Sequence, residues 1–347
     1  MKKFTRFLAL MLAVLTLFAL CACSSSSDSG KTDDTAKTDD SAKTDDSGDD
    51  SSTVEVEPKT VGYVTISGSA PWGGSIGTYL QEIVEDAGWS FKYLDAETSA
   101  DKVNENVQTM IDQGVDAIVI FGGDRTANVD NAKKAYEAGI PVFMAALDVA
   151  DGGQQYCVAC VGPDQEAAFY DIGEYVIEDN EGADSSKLVV QISGVPFLDD
   201  YIQRQDGFAR AMEETNYDVK EYQHAYSDRS MAKGFMEQYI QAYGDDIDIL
   251  IGYDDDLTMG AVQAIDEAGM TGQIKVYSFT GQNDAIQAVK DGKMSLTVMN
   301  RAGDISQELY NAMVEYFSTG ETEYYHYTPL TYITAENVDE WIGKGEF

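Results

Sequence analysis

The sequence predicts an α/β protein made of two parallel-sheet lobes. Three observations carry that expectation. Short apolar runs alternate with amphipathic runs of helical period along most of the chain. The apolar runs are continuous rather than alternating, so both faces of each sheet are covered by helices. The alternation also comes in two series, one from Val61 to Asp148 and one resuming near Pro163, and 347 residues are enough for about two domains.

The first unit organises the chain. Residues 61–66 are a β-rich run, and residues 67–75 form a Gly/Ser/Pro loop with Trp72 in its middle. Ile76, Tyr79, Leu80, Ile83, Val84 and Ala87 then recur at spacings of three and four, a helix face that Gly88 stops. The loop lies at the carboxyl end of the strand, the edge where open α/β sheets bind ligands.

The pattern repeats: strand 91–95, helix 100–113 closed by Gly114, strand 115–121, the loop Gly122-Gly123-Asp124, helix 129–138 closed by Gly139, and strand 140–147 with Asp148 at its end. The second series begins with a helix over 164–179, strand 187–192, a loop over 193–200 and helix 201–214 carrying Arg204 and Phe208. Residues 217–226 read as extended, followed by helix 230–243, strand 247–252 and the acidic run Asp254-Asp255-Asp256. Asp255 is expected to cap the next helix, 257–268. Strand 274–279, helix 284–291, strand 294–299 and helix 305–318 follow, then an extended stretch over 327–333 and a short closing helix near Trp341. Two such halves imply a cleft, the default place for a small ligand, with hinge closure around it.

The amino terminus stands apart. Lys2, Lys3 and Arg6 precede an apolar run over 7–20 that is too short to span a membrane and suits a signal h-region. Cys21-Ala22-Cys23 follows, and a small residue before a cysteine resembles a bacterial lipobox. On that resemblance residues 1–22 are a signal peptide and Cys23 is lipidated, anchoring the exported chain to the outer face of the cell membrane. Residues 23–58 contain Lys31-Thr32-Asp33-Asp34 and its repeats at Lys37 and Lys43, with almost no apolar side chains. Such a segment is expected to be a disordered acidic tether.

The formal net charge is −38, which excludes nucleic acid as a partner. Beyond the signal only Cys157 and Cys160 remain. In a β-like run, positions three apart point to opposite faces, so the pair is read as two separately packed thiols rather than a metal or redox pair. His224 and His326 are the only histidines and are read as surface residues without a catalytic partner. There is no His-Glu-x-x-His, P-loop or dinucleotide fingerprint after a strand. The carboxylate pairs at 199–200 and 254–256 would need to sit astride a bond to make a glycosidase. No enzyme activity, cofactor or metal is expected.

Five short motifs occur in order: Pro71-Trp72; Gly139-Ile140-Pro141-Val142; Arg204-Gln205-Asp206-Gly207-Phe208; Asp254-Asp255-Asp256 running on to Met259-Gly260-Ala261; and Asp291-Gly292-Lys293-Met294. Together they resemble the ribose/galactose-type periplasmic sugar-binding proteins, the receptors of ABC importers and relatives of the ligand core of LacI-type repressors, over roughly residues 60–335. No helix-turn-helix segment is readable before Val61, so a repressor is not expected. The resemblance implies two Rossmann-like lobes joined by a three-strand hinge, the type I periplasmic binding protein fold, with crossings near Pro163, Asn300 and Leu330. The lobes would be residues 59–163 with 301–330, and residues 164–300 with 331–347.

The resemblance also implies a pocket. Trp72 stands where an aromatic packs on the ligand, and Asp148 matches an acceptor of ligand hydroxyls. Arg204 matches a donor to ring or hydroxyl oxygens. Asp200, one turn before it, stands where some relatives place a ligand-binding acid, and it equally suits the helix dipole. Asp254 falls at a usual asparagine, Phe279 at an aromatic of the cleft edge and Asn300 at a polar amide beside the hinge. The chain departs from the pattern at Phe121, which replaces a ligand-contacting asparagine, and at Val149, Ser227 and Thr280, which replace an arginine, an aromatic and an aspartate. Aromatics with paired acceptors and one guanidinium suit a polyhydroxylated ring, and a nucleoside or an amine-bearing ligand fits the same acceptors. The implied role is a monomeric receptor that hands a sugar-like ligand to an ABC permease. The alternative is a sensor presenting its ligand to a membrane kinase or chemoreceptor.

Overall fold

The structure, a computed structural model, describes residues 56–345 apart from 70, 197 and 227. The signal, Cys23, almost all of the tether and Ser227 lie outside the described residues.

The first sheet contains β1 (Thr60–Thr65), β2 (Ser90–Asp95), β3 (Ala117–Phe121), β4 (Val142–Ala145), β5 (Ala159–Gly162) and a late strand, β12 (Tyr325–Tyr327). Its order is β12-β5-β4-β3-β1-β2 and every pairing is parallel. Helices α1 (Pro71–Asp86), α2 (Ala100–Asp112) and α3 (Arg125–Glu137) connect these strands, and α9 (Ala302–Thr319) returns from the far half of the chain. Helices α1 and α9 cover one face, packing on Val61, Tyr63, Val119 and Phe143. Helices α2 and α3 cover the other, on Val64, Ile118, Ile120 and Met144. Neighbouring residues of one strand thus serve opposite cores, which is why the strands read as unbroken apolar runs.

The second sheet is built from β6 (Leu188–Ser193), β7 (Asp218–Val219), β8 (Gln223–His224), β9 (Ile249–Gly252), β10 (Lys275–Thr280), β11 (Leu296–Met299) and β13 (Thr331–Thr334). The order is β13-β11-β10-β9-β6-β7, with β8 also on β6 and only β13 antiparallel. Helices α4 (Gln165–Asp179) and α5 (Asp199–Met212) cover one face, and α6 (Arg229–Tyr243), α7 (Asp255–Glu267) and α8 (Asn283–Lys290) the other. The chain passes between the sheets after Gly162, after Met299 and after Tyr327. The expected two-lobed parallel α/β architecture is therefore present.

Several local expectations need correction. Helix α1 begins at Pro71, not at Ile76, so Trp72 stands in a first helical turn rather than in mid-loop. Proline suits that position because its missing N–H would be unpaired there anyway. Gly73 and Gly74 read as loop residues, yet they lie in the first turn of α1, and no larger residue fits at either position. A Cβ on Gly73 would lie 2.3 Å from the Phe121 ring, and one on Gly74 would lie 2.6 Å from the Gly68 carbonyl oxygen. Asp254, not Asp255, caps α7: its Oδ1 accepts from the Leu257 N–H at 2.9 Å. The stretch 327–333 is not one strand but the ends of two, β12 and β13, in different sheets. The region 217–226 keeps only the two short strands β7 and β8. Cys157 precedes β5 rather than lying in it, so it packs on the same core as Cys160 instead of facing away. The two thiols are unpaired, and burial pushes Cys157 up to about 12 and Cys160 well above its ordinary value.

Candidate ligand-binding site

The carboxyl ends of the two sheets meet across a cavity of about 600 Å³. From the first lobe it is lined by the ends of β1 and β3 and the first turns of α1, α2 and α3. From the second it is lined by Gln165 and the first turn of α5.

Trp72 and Phe121 form its aromatic wall. Their rings meet edge to face, with centroids 5.7 Å apart at 70°. The Trp72 indole N–H donates to the backbone carbonyl of Asn300 at 3.3 Å, which ties the first turn of α1 to the segment leaving β11. Asn300 is 1% exposed and its Oδ1 has no partner. Thr280, at the end of neighbouring β10, also has a buried, unpartnered hydroxyl and a positive φ of 115°. Such outliers persist where the surroundings over-determine them, commonly at ligand sites.

On the opposite side, Asp200 presents a buried Oδ1 without a partner, while its Oδ2 is 3.7 Å from Arg204. A buried carboxylate oxygen left unpaired is costly, so it marks a place for a donor from outside. Arg204 is one turn further on and is 4% exposed. Its Nε donates to Gln165 and its Nη1 to the Tyr253 carbonyl, both at 2.8 Å, and its guanidinium lies 4.8 Å from the Phe279 ring centre. Most of the fork is thus spent inside the lobe. Phe279 is fully buried beneath it in the core against Phe169, not at the cleft edge as the resemblance implies.

Asp254 is 8% exposed. Besides capping α7, it accepts from the Tyr201 hydroxyl, and burial raises its carboxyl against the lowering effect of that bond. Asp255 is fully buried between β11 and the start of α8. It accepts from the Thr297 hydroxyl at 2.9 Å and the Gln282 N–H at 2.8 Å, and burial pushes it up to about 7.

Asp148 lies beside the main cavity, in a smaller recess. Its carboxylate accepts from Tyr324, Tyr325, Gln154 and its neighbour's N–H, so it is engaged within its own lobe rather than held out as a free acceptor.

Trp72, Phe121 and Asp200 therefore line one cavity. Arg204, Asp254, Phe279 and Asn300 support it from behind, and Asp148 stands to one side. Sequence reasoning missed Arg125 and Gln165, which also line the cavity. Arg125 donates to the carbonyls of Asp148 and Val149 at 2.9 and 2.8 Å and pairs with Asp199 of the other lobe at 3.2 Å. It thereby places a guanidinium beside the position where Val149 replaces the pattern's arginine. Its signal was an arginine straight after the Gly122-Gly123-Asp124 loop, at a ligand-facing sheet edge. Among the described residues no group of acidic, histidine or cysteine side chains could hold a metal, and no helix is long and apolar enough to cross a membrane.

A cleft between two α/β lobes is a place for a small ligand to bind. Residues 61–322 match the family model described as a periplasmic binding protein domain, and the chain belongs to that family. It is 26% identical over 303 residues to the fructose import binding protein FruE of Bifidobacterium longum, covering 86% of this chain and 85% of that one. It is 29% identical over 255 residues to the galactofuranose-binding protein YtfQ of Escherichia coli, covering 72% and 79%. A crystal structure of a galactofuranose binding protein superposes with a TM-score of 0.74 at 26% identity, covering 83% of this chain and 99% of that one. These relatives are binding proteins and not enzymes, in agreement with the expectation from the motifs.

Proposed function

We propose that this chain is the exported ligand receptor of an ABC importer, capturing a small sugar-like ligand between its lobes. The observation that carries the reading is the cavity itself. The Trp72–Phe121 wall offers an apolar face, and the unpartnered Asp200 oxygen on the other lobe offers an acceptor. A polyhydroxylated ring has that same division, with C–H faces and an edge of hydroxyl donors. The relatives include a fructose import binding protein and a galactofuranose-binding protein, which supports the same class.

In this reading Cys23 carries the lipid anchor at the outer face of the membrane, the acidic tether gives the body reach, and the body works as a monomer. The lobes are residues 59–163 with 301–330, and residues 164–300 with 331–347, closing on the ligand as a hinge. The residues that touch the ligand are Trp72, Phe121 and Asp200, with Arg125 and Gln165 added by the cavity, while Arg204, Asp254, Phe279 and Asn300 support them from behind and Asp148 stands to one side.

Thermal unfolding of the purified body in a panel of sugars, nucleosides and polyamines tests the proposal. Ligand at 100 times its Kd adds about 2.7 kcal/mol of stability, a rise in Tm of several degrees. Stabilisation by pentoses or hexoses is expected. Stabilisation by polyamines alone would replace the sugar with an amine, and no shift with any of them would overturn the receptor reading.

A further inference from the structure

Three adjacent strands of the first sheet, β4, β3 and β1, end at the main cavity, and each exits on an apolar side chain. Ile66 follows β1, Phe121 closes β3, and Ala146 and Leu147 follow β4. Glycines pack directly against this row. A Cβ on Gly122, whose φ is +71°, would lie 2.5 Å from the Ile66 Cγ2, and one on Gly162 would lie 2.7 Å from the Ala146 Cα. The Ile66 N–H donates to the Phe121 carbonyl at 3.0 Å, so these two exits are also joined through the backbone. The polar lining residues of this lobe are engaged elsewhere. Asp124 caps α3 by accepting from the Ala127 N–H at 2.8 Å, the Thr98 hydroxyl donates to the Glu97 carbonyl at 2.6 Å, and Arg125 donates to two carbonyls. Thr126 is exposed on the first turn of α3. The second lobe is the reverse, because it brings the unpartnered Asp200 oxygen to the cavity. The charge of Asp200 is matched by Arg204 at 3.7 Å and that of Asp199 by Arg125 at 3.2 Å, so the site calls for neutral donors rather than a cation.

We propose that this row is a methyl-binding face that makes the receptor selective for a 6-deoxyhexose, a monosaccharide whose exocyclic carbon carries no hydroxyl, and that Phe121 and Ile66 set the preference. The inference rests on the sugar-receptor reading above and narrows it. Trp72 by itself suffices to stack on the C–H face of a sugar ring. A second apolar surface, built from three strand exits, calls for a second apolar group on the ligand. The exocyclic carbon is the place where loss of one hydroxyl leaves a methyl, a group that projects from the ring and reaches a wall of its own. A hydroxymethyl group against Ile66 and Phe121 gives up its hydrogen bonds to water and finds none in return. The methyl has no such bonds to lose and gains by burial. The ring hydroxyls then face the other lobe, where Asp200 accepts.

The test is calorimetric titration of the whole exported body with matched pairs of sugars: D-fucose against D-galactose, L-rhamnose against L-mannose, and 6-deoxy-D-glucose against D-glucose, with ribose alongside. In at least one pair the deoxy sugar should bind about ten-fold or more tightly than its parent, the scale on which an apolar pocket rejects one added hydroxyl. Phe121→Asn places an amide in the row and should narrow that ratio by about five-fold or more. Ile66→Thr is the gentler second variant, since it keeps the branching at Cβ while adding a hydroxyl, and it should narrow the ratio in the same direction. Parents that bind as tightly as their deoxy partners in every pair, or a preference unchanged in both variants, would overturn the methyl face and leave the receptor intact. Binding of ribose with no member of any pair bound would do the same. Absence of binding by every sugar would overturn the receptor reading and the methyl face with it.

Discussion

Arg125 of the first lobe reaches across the cleft to within 3.2 Å of the Asp199 carboxylate of the second. Both residues open helices, Arg125 in the first turn of α3 and Asp199 in the first turn of α5. The arginine is also anchored on the carbonyls of Asp148 and Val149, so it enters the pair already ordered. An ion pair between lobes exists only when they are closed. Asp199→Asn should therefore speed ligand release by a factor of two to five or so, the worth of a partly exposed pair at roughly 0.5–1 kcal/mol. Stopped-flow displacement measures this, and the difference from wild type should shrink as salt rises. An off-rate unchanged at low salt would show that the pair contributes nothing to closure.

Trp72 should dominate affinity. Replacing it with Ala removes the ligand-facing wall and the indole bond to Asn300 together, and affinity should fall at least about ten-fold. Trp72→Phe keeps a ring and loses the N–H, so it should fall in between. Ligand should also perturb tryptophan fluorescence in the wild type and not in Trp72→Phe, because the other two tryptophans lie away from the cavity: Trp89 in a core against Tyr310 and Phe317, and Trp341 against the core of the second sheet. A ligand signal that persists in Trp72→Phe would remove Trp72 from the site.

Asp255 makes stability fall as pH rises toward neutrality. Its folded value, pushed up to about 7, lies above its ordinary value of 3.8, so between these the folded state holds the proton more tightly than the unfolded state. Stability is then greatest at the acidic end of that window and declines up to about pH 7. Asp255→Asn keeps an acceptor for Thr297 and carries no charge. Its Tm should show a flatter slope than wild type between pH 5 and pH 7 in calorimetry (roughly the titration window). Identical slopes would mean that Asp255 is ionised in the fold.

Gly207 belongs to the Arg204–Phe208 motif, and its place there is set by packing. A Cβ at this position would lie 2.1 Å from the Glu166 carbonyl oxygen, where α5 crosses α4. Gly207→Ala must push two helices apart, and overpacking of this kind costs about 1–3 kcal/mol. The Tm should drop by several degrees, with Arg204 displaced from Gln165 and affinity reduced as well. An unaltered Tm would show that α4 and α5 approach less closely.

Arg204 is a support more than a contact. Arg204→Lys would leave Gln165 and the Tyr253 carbonyl without their planar partner, since an ammonium cannot reproduce the fork. A loss of about 1–3 kcal/mol in unfolding free energy is expected, measured by urea denaturation. A variant as stable as wild type but unable to bind would make Arg204 a direct ligand contact instead.

Strand–helix order, continuous apolar strands and helix-stopping glycines were enough to specify two parallel-sheet lobes, because both periodicity and burial on two faces are written residue by residue. They were also enough to nominate Trp72, since ligand-facing loops follow the carboxyl ends of strands, whereas Asp200 was nominated only by the family resemblance. Other features were settled by contacts between residues far apart in the chain. Gly73 and Gly74 must be glycine because Phe121 and Gly68 come too close for a side chain. Phe279 went under Arg204 rather than to the rim, Asp148 turned to Tyr324 and Tyr325 some 176 positions later, and Arg125 found Asp199 on the other lobe. Local pattern carries no record of such partners, because the free energy that selects them is gained only when the two sheets and the returning strand β12 are packed together.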